Sequence, residues 1–256
     1  MEPIEELIDT PRGEGRLLTY AADKPAAVLL LSHGAGGGVD APDLMALAEA
    51  LPRQGVSVVL FEQPWRRAGR KVATPPPTLD EAFLAAAAAL PRTGLPLIVG
   101  GRSAGARSAA RTALQIGASG CLALSFPLHP PGRPDKSRVA ELHGAEVTTL
   151  VVQGERDTFG SPAEFPDDVD VCVIPFADHS LKVPKRAPIG QDEAWAIVIE
   201  ATLEWIVREA AGAAVGNEAA GAAVGNEAAG AAVGNEAAGA AVGNEAAGAA
   251  VGNDPR

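Results

Sequence analysis

Two patterns of apolar residues alternate along the first 208 positions. Short, nearly continuous apolar runs read as strands buried on both faces. They predict strands at Ala26–Ser32, Val56–Phe61, Leu97–Gly101, Cys121–Ser125, Thr148–Gln153 and Asp170–Ile174, after a short early one at Arg16–Tyr20. Between them lie segments of helical spacing. These are Asp43–Leu51, ended by Pro52; Thr78–Leu90; Ser103–Ile116; a short Arg138–His143; and Asp192–Arg208. Thr78 and Glu81 have the spacing of a capping box. The last helix sets Trp195, Val198, Ile199, Leu203 and Ile206 on one face. Such β-α alternation predicts an α/β domain whose mostly parallel sheet carries helices on both faces. Function in that architecture gathers at the carboxyl ends of the strands.

The pattern stops at Glu209, where Glu-Ala-Ala-Gly-Ala-Ala-Val-Gly-Asn occurs five times in succession, to Asn253, before the terminal residues 254–256. Nine residues make two and a half helical turns, so successive valines face opposite sides and no apolar stripe forms. Two glycines per repeat weaken a helix by about 1 kcal/mol each. The expectation for 209–253 is a frayed helix or disordered extension without a catalytic role, beside a single domain with a sizeable core at 1–208. One valine per unit is too little for a solenoid, and the aspartates of calcium-binding nonapeptides do not recur.

Composition narrows the classes. A net charge of −11 argues against nucleic acid or an anionic membrane as partner. Cys121 and Cys172 fall in apolar runs and read as small buried hydrophobes, neither disulfide nor metal ligands. No stretch is long and apolar enough to span a bilayer, and the acidic Met1–Glu6 lacks the basic and apolar regions of a signal peptide. A cytoplasmic protein with no metal and no cofactor is expected.

The chemistry centres on Gly101-Arg-Ser-Ala-Gly105, directly after a predicted strand and before a helix. Small residues two before and two after the serine allow a sharp strand-to-helix turn that holds a hydroxyl above the sheet. Ser103 then needs a base, and the base an orienting carboxylate. There are four histidines: His33, His129, His143 and His179. His179, past the last strand, is placed to reach over the carboxyl edge. Asp157, in Gln153–Gly160, stands at the end of the preceding strand, whereas Asp178, adjacent to His179 in sequence, has little reach to orient it. Ser103, Asp157 and His179 stand in the chain order of an α/β-hydrolase triad. An oxyanion needs two backbone N–H groups. One comes from Ala104 and the other from the loop after the first buried strand, from Ala35 or its neighbour Gly36.

Other residues keep two readings. Ser103 could serve as a helix N-cap, and Asp157 as a turn residue. His33 reads as a structural loop residue. His129 either lines the pocket or scaffolds its loop. The basic segment Gln63–Lys71, with Trp65, either meets a substrate carboxylate or phosphate or is a solvated loop with the indole packed down. Arg102 either reaches an acidic partner or covers the pocket. His129, Trp65 and Arg102 are the candidate substrate contacts.

Together these segments resemble the α/β-hydrolase fold, and within it a small, lidless branch similar to dienelactone hydrolases. Ser32–Gly38, Gly101–Arg107, Phe126–Arg133 and Gln153–Gly160 resemble the KANL/Tex-type α/β-hydrolase-like family, over roughly residues 15–208. Ala106 departs from that pattern, where a second glycine would follow Gly105. The resemblance implies an acyl-transfer hydrolase or a scaffold protein that keeps the fold. A serine hydrolase acting on a small soluble ester, thioester or related acyl compound is the first expectation. The alternative is a catalytically silent binding or scaffold protein. A phosphate-binding role for Gly34–Gly38 is weaker, because the Lys-Ser/Thr ending of a P-loop is absent.

Overall fold

The apolar runs become strands at nearly the expected positions. The computed structural model describes residues 2–210, so the repeats from residue 211 onward lie outside the described residues. Six strands run parallel: β3 (Ala27–Ser32), β4 (Val56–Glu62), β5 (Leu97–Arg102), β6 (Gly120–Leu124), β7 (Thr149–Gly154) and β8 (Asp170–Ile174). A hairpin of β1 (Ile4–Thr10) and β2 (Gly13–Tyr20) is added antiparallel, with β2 on β4. The resulting eight-stranded sheet has the order β1-β2-β4-β3-β5-β6-β7-β8.

The pleat divides the core. Leu29 and Leu31 face α1 (Pro42–Ala50) and α6 (Gln191–Trp205), where Leu44, Leu47, Val198 and Trp205 pack. Leu30, between them, faces the opposite layer with Phe83 of α3 (Pro76–Ala89) and the alanines of α4 (Ala104–Ile116). Ala106, Ala109, Ala110 and Ala113 are fully buried, and their small side chains bring α4 close to the sheet. Ala106 therefore packs into the core where the family pattern suggested glycine. A single turn, α2 (Pro64–Arg67), and a short α5 (Val139–His143) complete the helices, and Ile206–Ala210 is a last π-helical turn.

Several details differ from expectation, among them an edge strand, β1, that was not expected. Two prolines preset the first turn of α3, so the helix starts at Pro76 and Thr78 lies inside it without capping; Glu81 instead pairs with Arg12 at 2.6 Å. Pro52 does not end the chain's turn after α1 but enters a 3-10 turn, Leu51–Gln54. Trp205, outside the expected apolar face of α6, is among its most buried side chains.

After β3 the chain moves to β4 on one side, and later places β5 on the other. The loops leaving β3 and β5 thus diverge at the carboxyl edge, which opens a crevice of the kind where doubly wound sheets bind ligands. Both the glycine-rich loop and Ser103 leave the sheet there.

Candidate active site

Ser103 alone joins β5 to α4, with φ 52° and ψ −111°. A non-glycine residue in such a conformation costs about 1–3 kcal/mol, so its surroundings must hold it. Its N–H donates to the Leu124 carbonyl at 2.9 Å, and its carbonyl accepts from Arg107 N–H at 3.1 Å. Glycine is required on both sides by close approach. A Cβ on Gly101 would strike the Ser32 carbonyl oxygen, and one on Gly105 would strike the same oxygen and that of His33. The serine hydroxyl consequently stands over the N-terminus of a 13-residue helix.

The turn after β8 brings His179 to this hydroxyl. Its Nε2 lies 3.0 Å from Ser103 Oγ, and its Nδ1 lies 2.7 Å from Asp157 Oδ2. The Asp157 side chain is fully buried. Its Oδ1 accepts from Phe159 N–H at 2.8 Å, and its Oδ2 also accepts from Gln153 Nε2 at 2.8 Å. Those donors fix the orientation of the carboxylate. The ring of Phe159 stacks on His179, 4.2 Å between centroids. Asp178 is occupied elsewhere, since its Oδ1 accepts from the N–H groups of Ser180 and Lys182 at 2.8 and 3.1 Å.

Ala35 and Ala104 border one narrow crevice with His33, Gln63 and Trp65. Ala104 is the first residue of α4, so its N–H has no intrahelical acceptor. Gly36 is exposed and does not border that crevice. His33 ties the loop down: its Nδ1 donates to the Gly34 carbonyl at 2.9 Å, and its Nε2 accepts from Gln63 N–H at 3.1 Å. Burial pushes its pKa down, in keeping with this neutral form. Trp65 packs against His33, with centroids 5.4 Å apart. In the basic segment Arg67 pairs with Glu14 at 2.6 Å, while Arg66, Arg70 and Lys71 are exposed.

Two candidate substrate contacts are engaged within the protein. His129 meets the Pro130 carbonyl through Nδ1 at 2.8 Å and Glu164 through Nε2 at 2.9 Å, which leaves neither ring nitrogen free; it scaffolds its loop. Arg102 pairs through Nε with Asp43 at 3.0 Å. Its Nη2 donates to the His179 carbonyl at 3.1 Å and to Ser180 Oγ at 3.2 Å. Asp43 and Gln153 carried no signal in the sequence: one is an ordinary acid in a first helical turn, the other an amide ending a strand. Phe159 did have one, in Gly154-Glu-Arg-Asp-Thr-Phe-Gly160. Among the described residues, no three His, Cys, Asp or Glu side chains gather as a metal site.

The model of the family described as alpha/beta hydrolase domain matches residues 25–207. Solved structures with a similar fold include a lidless a/b serine hydrolase from Xanthomonas campestris, at 18% identity and TM-score 0.61, covering 80% of this chain and 95% of that one. Another is a dienelactone hydrolase from Anabaena variabilis, at 18% identity and TM-score 0.57, covering 82% and 99%. A third, Est1E from Butyrivibrio proteoclasticus, has 15% identity and TM-score 0.59, covering 80% and 99%. These likenesses concern the fold. With its central domain matched almost from the first parallel strand to the last helix, the chain belongs to the alpha/beta hydrolase family.

Proposed function

We propose that the protein is a serine hydrolase that cleaves a small, soluble ester, thioester or related acyl compound. The observation that carries this reading is the continuous series Asp157–His179–Ser103, with contacts of 2.7 and 3.0 Å. With the imidazole proton on Nδ1, Nε2 accepts the hydroxyl proton as Ser103 Oγ bonds to the substrate carbonyl carbon. Asp157 orients the ring and stabilises the imidazolium. The N–H groups of Ala104 and Ala35 face the negative charge that develops on the carbonyl oxygen. Collapse breaks the bond to the leaving group, which takes the proton from Nε2. Water, deprotonated by the same nitrogen, then releases the acid and regenerates Ser103. These steps draw only on the chain's own groups and water.

The excursion between β6 and β7 supports a small substrate. It holds a 3-10 turn at Pro134–Lys136 and the five-residue α5, too little for a multi-helix lid. Trp65 beside the crevice is a candidate wall for the acyl group. A cytoplasmic location fits this reading, and among the described residues no helix is long and apolar enough to cross a membrane. A silent scaffold would be favoured by a Ser103–His179 gap beyond hydrogen-bond reach, and the gap is 3.0 Å. A fluorophosphonate probe tests the proposal. It should label the wild type and not Ser103→Ala; absence of labelling in the wild type, or labelling that survives the substitution, sinks it. A series of p-nitrophenyl esters of rising chain length then sizes the acyl site.

A further inference from the structure

We infer that Arg102 and Asp43 are positioning residues that hold His179 over Ser103, an inference that rests on the proposed hydrolase reading. Arg102 is the last residue of β5 and immediately precedes the nucleophile. Its planar guanidinium presents donors in a fixed fork, and here the fork is used in two directions. Nε lies 3.0 Å from Asp43 Oδ2 of α1 as an ion pair outside hydrogen-bond geometry, while Nη2 donates to the His179 carbonyl at 3.1 Å and to Ser180 Oγ at 3.2 Å. One side chain thereby joins the nucleophile's strand, helix α1 and the turn that carries the base.

That turn needs such a tie. His179 lies outside any strand or helix. Leu181 N–H to Asp178 O at 2.9 Å and Asp178 N–H to Lys182 O at 3.0 Å shape its turn. Arg156 N–H to Ala177 O at 2.8 Å and the Gln191 amide to Leu181 and Val183 anchor its flanks to the loop after β7 and to α6, but none of these bonds reaches β5. The Arg102 bond acts on the His179 residue itself. A displacement of about 1 Å at a reacting group can cost about 100-fold in rate.

Asp43 explains why an arginine can stand there. The imidazole becomes cationic when it takes the serine proton, and a lone guanidinium beside it would oppose that step. Asp43 is fully buried and sets its carboxyl 3.0 Å from Arg102 Nε, against that charge. Burial leaves its carboxyl raised above the ordinary value, and Arg102 offsets only part of that rise. Taking both ions out of water is unfavourable for folding, and apolar residues would fill the space at no greater cost. The pair is accounted for by what it holds.

The experiment compares Arg102→Ala, Arg102→Lys, Asp43→Asn and Ser180→Ala. Fluorophosphonate labelling is followed per competent site, and amide exchange is followed across residues 177–183. Arg102→Ala should slow labelling and p-nitrophenyl acetate turnover by about 100-fold with KM within about twofold. Added guanidinium should restore part of the rate, and Arg102→Lys should lie between. Exchange at 177–183 should rise while β5 and α1 stay protected. Unchanged labelling per competent site, no rescue by guanidinium, or unchanged exchange in the turn would overturn the inference. Asp43→Asn and Ser180→Ala, each of which removes one partner of Arg102, should slow labelling less than Arg102→Ala does; if Arg102→Ala does not fold, wild-type rates in Arg102→Lys, Asp43→Asn and Ser180→Ala overturn the inference instead. Wild-type protein that resists the probe refutes the hydrolase reading, whereas the exchange measurement still decides whether Arg102 holds the turn.

Discussion

Gln153 and His179 meet the same oxygen of Asp157, the amide Nε2 at 2.8 Å and the imidazole Nδ1 at 2.7 Å. The fully buried Gln153 also donates to the Gly160 carbonyl at 2.8 Å, so it clamps both the carboxylate and the loop that presents it. Losing one hydrogen bond to a charged group is worth about 1.5–3 kcal/mol, and part of that falls on orientation. Gln153→Leu should slow fluorophosphonate labelling about tenfold, while Asp157→Asn, which reverses the tautomer preference, should slow it by about 10³–10⁴-fold. Equal rates for Gln153→Leu and wild type would reduce the glutamine to packing.

The strained elbow makes a prediction about stability rather than rate. Glycine adopts φ 52° without penalty, so Ser103→Gly relieves strain that Ser103→Ala retains. Relief of about 1–3 kcal/mol, less about 0.5–1 kcal/mol for the freer unfolded chain, leaves Ser103→Gly about 1 kcal/mol more stable than Ser103→Ala. Gly105→Ala should act in the opposite direction, by about 3 kcal/mol, because its new methyl meets the carbonyl oxygens of Ser32 and His33. Urea unfolding midpoints of the three variants check both signs.

These effects also mark how far the sequence could be read. Parallel strands such as Ala27–Ser32 are buried on both faces, and their continuous apolar runs name them directly. The β1 strand escaped because it is a sheet edge. Only Leu7's neighbour Ile8 is deeply buried, and Glu5 and Glu6 disguise the alternation. Ser103, Asp157 and His179, which the structure brings within 2.7 and 3.0 Å of one another, could be picked out because the proposed chemistry calls for those residue types after particular strands. The Asp43–Arg102 pair was not, because it depends on how α1 packs across the sheet, which no local spacing encodes. Similarly, the capping-box pattern occurs at Ser161 and Glu164, where a one-turn helix gave no periodicity to announce it.

Helices α3, α4 and α5 are joined by a half-buried ionic cluster. Arg111 reaches Asp80 at 2.7 Å and Glu141 at 2.7 Å, and Arg107 reaches Glu141 through Nε at 2.8 Å. Removing Arg111 leaves Asp80 with only the Ser108 hydroxyl, at 2.7 Å, and Glu141 with only Arg107. Breaking a fully buried pair costs about 3–5 kcal/mol, and partial solvent access reduces this to about 2 kcal/mol. Arg111→Ala should therefore lower stability by about 2 kcal/mol in a denaturant titration, and Arg111→Lys by less. A loss under about 0.5 kcal/mol would class the cluster with surface pairs.

Neither cysteine should behave as a reactive thiol. Burial pushes Cys121 up to about 12, and burial followed by nearby Asp170 raises Cys172. At neutral pH both are protonated, and the thiolate is the reactive form. Ellman's reagent should find both thiols in denaturant and modify native Cys121 only on the timescale of unfolding. Rapid modification of Cys121→Ser protein would assign any fast reaction to Cys172.

His129 links the loop after β6 to the Ser161–Glu164 turn, and its contribution should depend on pH. The Pro130 carbonyl, opposed by burial and aided by Glu164, raises its pKa above 6.5. The Ser161 backbone N–H and then His129 lower Glu164 below 4.5. For a histidine raised in the native state, the stabilisation is complete below the unfolded value of 6.5 and disappears as pH rises through the native value. For a lowered glutamate, it is present above 4.5 and disappears as pH falls through the native value. The pair is therefore strongest between those limits. Thermal melts at about pH 5.5 and about pH 8.5 should show wild type losing stability at the higher pH relative to His129→Gln, whose side chain cannot titrate. Parallel shifts of both proteins with pH would show that His129 does not carry the link.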